Sequence, residues 1–294
     1  MKELEVLEQQ RKKSVKFIII GWCILILSFI LIFIFASANL EGLVFIGILL
    51  LICGVIFLGI GSVKIKKVEN QFKATCLTKI INEIIPGAKY EANMGIALND
   101  VYKSGLLKRA DRSRSDDLIV GNIKGVNFKT SDLQLLERRV HTDSKGHRTV
   151  TYVPYFTGRF FIFDFNKNFK GNIVVTEAAF SKPFGMKKIS MESEEFNNKF
   201  KTYAHDDLSA FYVLTPHLMV SLLELEKQNP GCIMISINSN VMYMAINNNR
   251  DTFSISMKNK IDDSLITMFE KDLKVISDVI EEMNLNNKIF KEEY

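Results

Sequence analysis

The chain has 294 residues, 47% of them hydrophobic and 24% charged, with 16 glycines and 5 prolines. That balance excludes a disordered, low-complexity or collagen-like chain, and four cysteines exclude a disulfide scaffold. Residues 1–73 hold nine Lys and Arg against five Glu, whereas the rest of the chain holds 29 basic and 28 acidic residues. The net charge of +5 is therefore a property of the N-terminal region, not a nucleic-acid footprint.

Residues 1–16 form a charged tail. From Phe17 to Ala36 follow 20 uncharged residues, 15 of them Ile, Leu or Phe. At about 1.5 Å per residue such a helix spans the roughly 30 Å of a bilayer hydrocarbon core. A second uncharged run covers Leu43 to Val63. Lipid offers no hydrogen-bond partner to a backbone, so both runs are expected to be transmembrane helices. The connection Ser37–Gly42 carries Glu41 and no cation, while Arg11, Lys12, Lys13 and Lys16 precede the first helix and Lys64, Lys66, Lys67 and Lys73 follow the second. This asymmetry predicts a multi-pass protein of the cell membrane with both termini cytoplasmic. Ala36-Ser37-Ala38 resembles a signal-peptidase site, but the apolar run is too long and its leader too acidic for a cleaved signal. Gly47, Gly54, Gly59 and Gly61 would let helices approach, without a Gly-x-x-x-Gly spacing, and the oligomeric state stays open.

After the membrane segments, Val68, Phe72, Cys76, Ile80 and Ile84 recur every four residues up to Pro86-Gly87, which predicts an amphipathic stalk helix over 64–85. Residues 86–294 are expected to form a cytosolic domain. A helical stretch over Gly95–Leu107 leads to a mixed-charge segment, Lys108–Asp117, read as a flexible surface. The period then changes to two, which predicts strands at Leu118–Lys124, Val126–Arg139, Val150–Asp164 and Asn172–Glu177. The run Phe160–Phe165 reads as a strand buried on both faces. Ser193 is placed to cap a short helix bearing Phe196 and Phe200. A strand over Leu208–Leu214 is expected to run into Thr215-Pro216, an N-cap with proline at the first helical position. Strands at Ile233–Ile237 and Met242–Ile246 and a last helix over Ser264–Met283 complete an α+β reading: a membrane hairpin (17–36 and 43–63 within 17–63), a stalk, and a mostly antiparallel sheet with packed helices.

Glu192-Ser193-x-Glu195-Phe196-x-x-x-Phe200, Asp206-Asp207 and Ala210-x-Tyr212-x-Leu214-Thr215-Pro216-x-x-Met219 together resemble a bacterial membrane family known as a domain of unknown function. The likeness is clearest over Gly185–Leu223. It implies two N-terminal membrane helices before a cytosolic domain and, because some members neighbour LemA-type membrane proteins, a LemA-like protein partner. It supplies no catalytic residue.

Motifs for phosphate binding, zinc hydrolysis or serine hydrolysis are missing from the sequence. His141 and His147 bound a polar turn with Asp143 as the one local carboxylate, too few ligands for a metal. His205-Asp206-Asp207 is the densest polar cluster and the place where acid–base chemistry would sit. No ionisable residue lies inside either apolar run, which argues against a pore. The reading that results is a membrane-anchored binding or scaffold domain whose partners are the bilayer and a protein, with no nucleic acid, cofactor or metal. An enzyme acting through His205–Asp207 and a subunit of a larger membrane complex are the alternatives.

Overall fold

The computed structural model describes residues 2–38, 40–164, 172–177, 185–255, 257, 259–282 and 285. It divides into two compact units, Met1–Ile80 with Ser254–Phe269, and Ile81–Phe253 with Glu270–Tyr294.

In the first unit, helix α1 (Lys2–Ser37) and helix α2 (Glu41–Phe72) form an antiparallel hairpin. Helix α2 continues through one π-helical turn, Lys73–Leu77, into helix α3 (Thr78–Ile84). Among the described residues two helices are long and apolar enough to cross a membrane, Glu3–Ser37 and Gly42–Ile84. Their outer faces leave large apolar side chains uncovered, including Phe29, Phe33 and Phe45, as lipid permits and water does not. The seam between them is built from small residues. Ser14, Gly21 and Ser28 are buried on α1, and Gly47, Gly54 and Gly61 on α2, each set spaced by seven. A Cβ on Gly47 would stand 2.4 Å from Ile32 and one on Gly61 2.5 Å from Ile18, so only glycine lets the helices approach this closely. A seven-residue repeat keeps one stripe facing a partner along both helices, which a search for Gly-x-x-x-Gly overlooks. The seam hydroxyls donate back to their own helix, Ser14 to the Gln10 carbonyl at 2.8 Å and Ser28 to that of Leu25 at 2.7 Å.

Residues 254–269 complete this unit. Arg11 donates twice to the Glu8 carboxylate, at 2.7 and 2.8 Å, and once to the Met257 carbonyl at 2.6 Å. The same carboxylate accepts the Ile261 backbone N–H at 2.9 Å. Phe72 meets Phe269 with ring centroids 5.8 Å apart.

The second unit is a nine-stranded antiparallel sheet with helices, the α+β class that the alternating periods predict. Its strands are β1 (Lys89–Glu91), β2 (Arg112–Ile123), β3 (Val126–Thr142), β4 (Arg148–Asp164), β5 (Asn172–Thr176), β6 (Lys187–Ile189), β7 (Lys201–Ala204), β8 (Cys232–Asn238) and β9 (Val241–Asn247). Their spatial order is β1-β2-β3-β4-β9-β8-β5-β7-β6. Phe160, Phe161 and Phe163 in the central strand β4 are buried on alternate faces, as a strand covered on both sides requires; Phe165 lies outside the described residues.

The helices are α4 (Leu98–Lys103), α5 (Glu194–Lys199), α6 (Asp207–Val213), α7 (Pro216–Gln228) and α8 (Asp263–Glu282). Ser193 caps α5 by accepting the Phe196 N–H, and Thr215 caps α7 ahead of Pro216, as expected from their sequences. Three local expectations change. The segment Leu208–Leu214 is helical, because Asp206 accepts the Ser209 N–H at 2.8 Å and Ala210 and Val213 are then buried one turn apart. Lys108–Asp117 is not a flexible stretch: from Arg112 it pairs with β3, with Arg112 and Arg114 exposed and Asp117 buried. The helix expected over Gly95–Leu107 shrinks to α4, ended by Gly105 at φ +69°.

Candidate functional site

The cluster expected to carry any chemistry, His205-Asp206-Asp207, sits at the start of α6. Asp206 is its N-cap, accepting both the N–H and the hydroxyl of Ser209 at 2.8 and 2.7 Å, and these bonds hold its carboxyl below the usual range. Asp207 pairs with Lys187 at 3.0 Å. The His205 ring lies 3.2 Å from the Gly185 carbonyl. All three are exposed, and their polar atoms serve a cap and surface contacts. His141 and His147 belong to an exposed ribbon in which His141 pairs with Thr149, while His147 contacts Asp143 at 3.0 Å.

The densest buried polar cluster is elsewhere, on the face of the sheet that carries Ile119, Phe128, Phe161 and Phe163. Asp132 on β3 stands directly opposite Arg159 on β4. Arg159 donates to Asp132 at 3.0 Å and to the Thr130 hydroxyl at 2.9 Å, and stacks 4.5 Å from the Phe253 ring centroid. The second oxygen of Asp132 accepts the Thr252 N–H at 2.6 Å. The Tyr90 hydroxyl donates to Asp117, which sits at φ 55° where the β2–β3 register shifts. Carboxylate oxygens of Asp117, Asp132 and Asp251 lie within 4.8 Å of one another. Burial beside these acids pushes the Asp132 carboxyl up to about 7, with Arg159 pulling the other way. Burial and the Asp117 charge push the Tyr90 hydroxyl up as well. An all-oxygen set of this kind suits a hard divalent cation, but here Arg159 engages Asp132, the Tyr90 hydroxyl engages Asp117 and Arg114 pairs with Asp251. The arrangement is a buried ion-pair network. Sequence reading missed it because a lone Asp or Arg in a strand reads as a solvent-facing position.

The opposite face carries an open cleft of about 660 Å³. Cross-strand partners place Lys89, Val120, Lys129, Ile162 and Tyr243 in one row across β1, β2, β3, β4 and β9. Val120, Ile162 and Tyr243, with Val241, make an apolar floor. Asp100 and Lys103 of α4 form part of the wall and pair with each other at 2.7 Å. At the far end Asn122 donates to Asn127 at 2.8 Å, and Asn127 donates to Asp164 at 2.7 Å. Beside the cleft the same face closes over Phe156, Phe160, Val174, Met234 and Ala245 under Ile96, Val101 and Leu106. The cleft is the place where that cover stops.

Residues 154–285 match the family model of a protein of unknown function, DUF3137. This is a little under half of the chain, from within β4 to beyond α8, and it contains the Gly185–Leu223 stretch on which the likeness to such a family rests. The DUF3137 region supplies Ile162, Asp164, Val241 and Tyr243 of the cleft, whereas Lys89, Val120 and Lys129 precede it. No curated protein matches the chain. Among solved structures it is similar to the mycobacterial trehalose monomycolate transport factor A, TtfA, at 6% identity and a TM-score of 0.39, over 73% of this chain and 94% of that one. A likeness at that level carries no argument about activity.

Proposed function

We propose that this chain is a membrane-anchored cytosolic binding domain, held by the α1–α2 hairpin and recognising a ligand or partner at the inner face of the cell membrane. The observation that carries this reading is the open, apolar-floored cleft on a sheet whose adjoining surface on that face is covered. Its volume lies within the range of small-molecule and peptide sites. The groups around it bind and orient: lysine ammonium groups, a tyrosine hydroxyl and carboxamides. The two carboxylates there are already engaged, Asp100 by Lys103 and Asp164 by Asn127. The cations on both flanks of the hairpin, and their absence from residues 37–42, support a cytoplasmic position for the domain. The use of Asp206 as a cap and of Asp207 in a surface pair supports binding over catalysis at that cluster.

The test is crosslinking of the tagged full-length chain in its own membrane, followed by purification and identification of everything retained. The reading expects a discrete species that disappears when Val120→Glu puts a charge on the cleft floor. A chain recovered bare, or a retained set unchanged by Val120→Glu, would contradict it. A LemA-like protein among the retained species would assign the partner.

A further inference from the structure

We infer that the sheet-face cleft binds a single-chain alkyl phosphate, with the chain on the apolar floor and the phosphate held between Lys89 and Lys129. The inference rests on the binding-domain reading and names its ligand class. The two lysines are direct cross-strand neighbours of Val120, one on each side. Adjacent strands lie about 4.8 Å apart, so the two Cα atoms stand roughly 10 Å apart on one face. That gap is within reach of two flexible four-carbon side chains converging on one anion above Val120. Both lysines are exposed, and among the described residues neither has an ion-pair partner, unlike Lys103, which is engaged by Asp100.

Two unneutralised cations over a short apolar step select a ligand with concentrated negative charge and an apolar body. A phosphate monoester carries about −1.5 to −2 charges and three acceptor oxygens, which match two lysines better than a carboxylate does. Beyond Lys129 the row continues through Ile162 to Tyr243, so a chain leaving the phosphate past the Lys129 stem reaches an apolar floor. At its end the Tyr243 hydroxyl makes no hydrogen bond among the described residues, although the side chain is 92% buried against the floor. Of the carboxylates on the two adjacent rows, Asp164 is turned to Asn127, and Glu91 is exposed and outside the cleft lining. A chain with two helices long and apolar enough to cross a membrane lies where anionic amphiphiles are found.

The test uses the full chain in phosphatidylcholine nanodiscs with three photoreactive probes of equal chain length, a diazirine-bearing alkyl phosphate, alkyl carboxylate and alkyl alcohol. Labelled peptides are mapped by mass spectrometry. The alkyl phosphate is expected to label peptides carrying Val120, Ile162 or Val241 at least tenfold more than the alcohol. The labelling is expected to fall about tenfold in Lys89→Ala/Lys129→Ala and to survive in Lys89→Arg/Lys129→Arg, which keeps the charge and separates it from folding. Equal labelling by the alcohol, labelling confined to α1 and α2, or loss in the arginine variant would overturn the inference. Equal labelling by the carboxylate would overturn the assignment of phosphate. A chain that captures a protein in its membrane through Val120 but ignores the alkyl phosphate would overturn this inference and leave the binding-domain reading standing.

Discussion

The two units achieve close packing with opposite kinds of residue. Along the α1–α2 seam the contact is backbone against side chain and backbone, with Gly54 set so that a Cβ would meet Leu25 at 2.9 Å and the Gly21 carbonyl at 3.2 Å. In the sheet unit it is ring against ring, as where Phe161 stacks on Phe163 with centroids 5.9 Å apart. Lipid is as apolar as leucine, so a helix pair in it gains little by burying large side chains and gains most by close approach. The sheet unit gains from removing large rings from water, and that surplus lets it bury Arg159 and Asp132 at its centre. Each unit is therefore vulnerable to a different change: added volume harms the hairpin, and removed volume or charge harms the sheet.

The largest effect is expected in the sheet unit. Arg159→Ala leaves Asp132 buried without its guanidinium, and loss of one partner of a buried ion pair costs about 3–5 kcal/mol. Thermal unfolding of the full chain should show a large drop in midpoint, whereas Lys103→Ala, which breaks an exposed pair, should shift it within error of wild type. In the hairpin the corresponding break is Gly54→Leu, where overpacking costs about 1–3 kcal/mol. Its expected signature is a lowered midpoint, with Gly59→Leu, at a position facing open space, as the harmless control.

A finer test uses pH. Burial places the Asp132 carboxyl at about 7 against an ordinary 3.8, so between these values the folded state binds more protons than the unfolded state. The stability this group contributes is full below about pH 4 and is lost as pH rises through about 7. Stability of wild type relative to Asp132→Asn should therefore decline across that window and level off above it, as followed by chemical unfolding at a series of pH values. A difference that stays flat, or rises with pH, would place the charged form as the favoured one. The smallest effect is expected at Asp206→Ala: loss of an N-cap costs about 1 kcal/mol, and retention of labelling in the sheet-face cleft would confirm that Asp206 acts only on α6.

Legibility in the sequence followed how local each feature is. The two membrane helices are legible because charge is absent over 20 consecutive positions, and the caps at Ser193 and Thr215 because capping is decided within four residues. The segment Leu208–Leu214 misled because its aromatic and β-branched residues favour a strand, while Asp206, one residue before α6, settles it as a helix. The seven-residue stripe of Ser14, Gly21 and Ser28 was readable in principle and needed only the right period. The ion-pair network was not readable, since Asp117, Asp132, Arg159 and Asp251 meet only through strand register. The cleft is the extreme case: Lys89, Val120, Lys129, Ile162 and Tyr243 come from five strands and form no motif.

Binding at the proposed cleft can be tested by placing a photoreactive benzoyl-phenylalanine at one position at a time in the full chain in living cells. Val120 on the cleft floor is compared with Leu208, which is 83% exposed outside the cleft. A discrete crosslinked species is expected from Val120 and none from Leu208. Capture from Leu208 with silence at Val120 would contradict binding at the cleft and move the binding site off the sheet face.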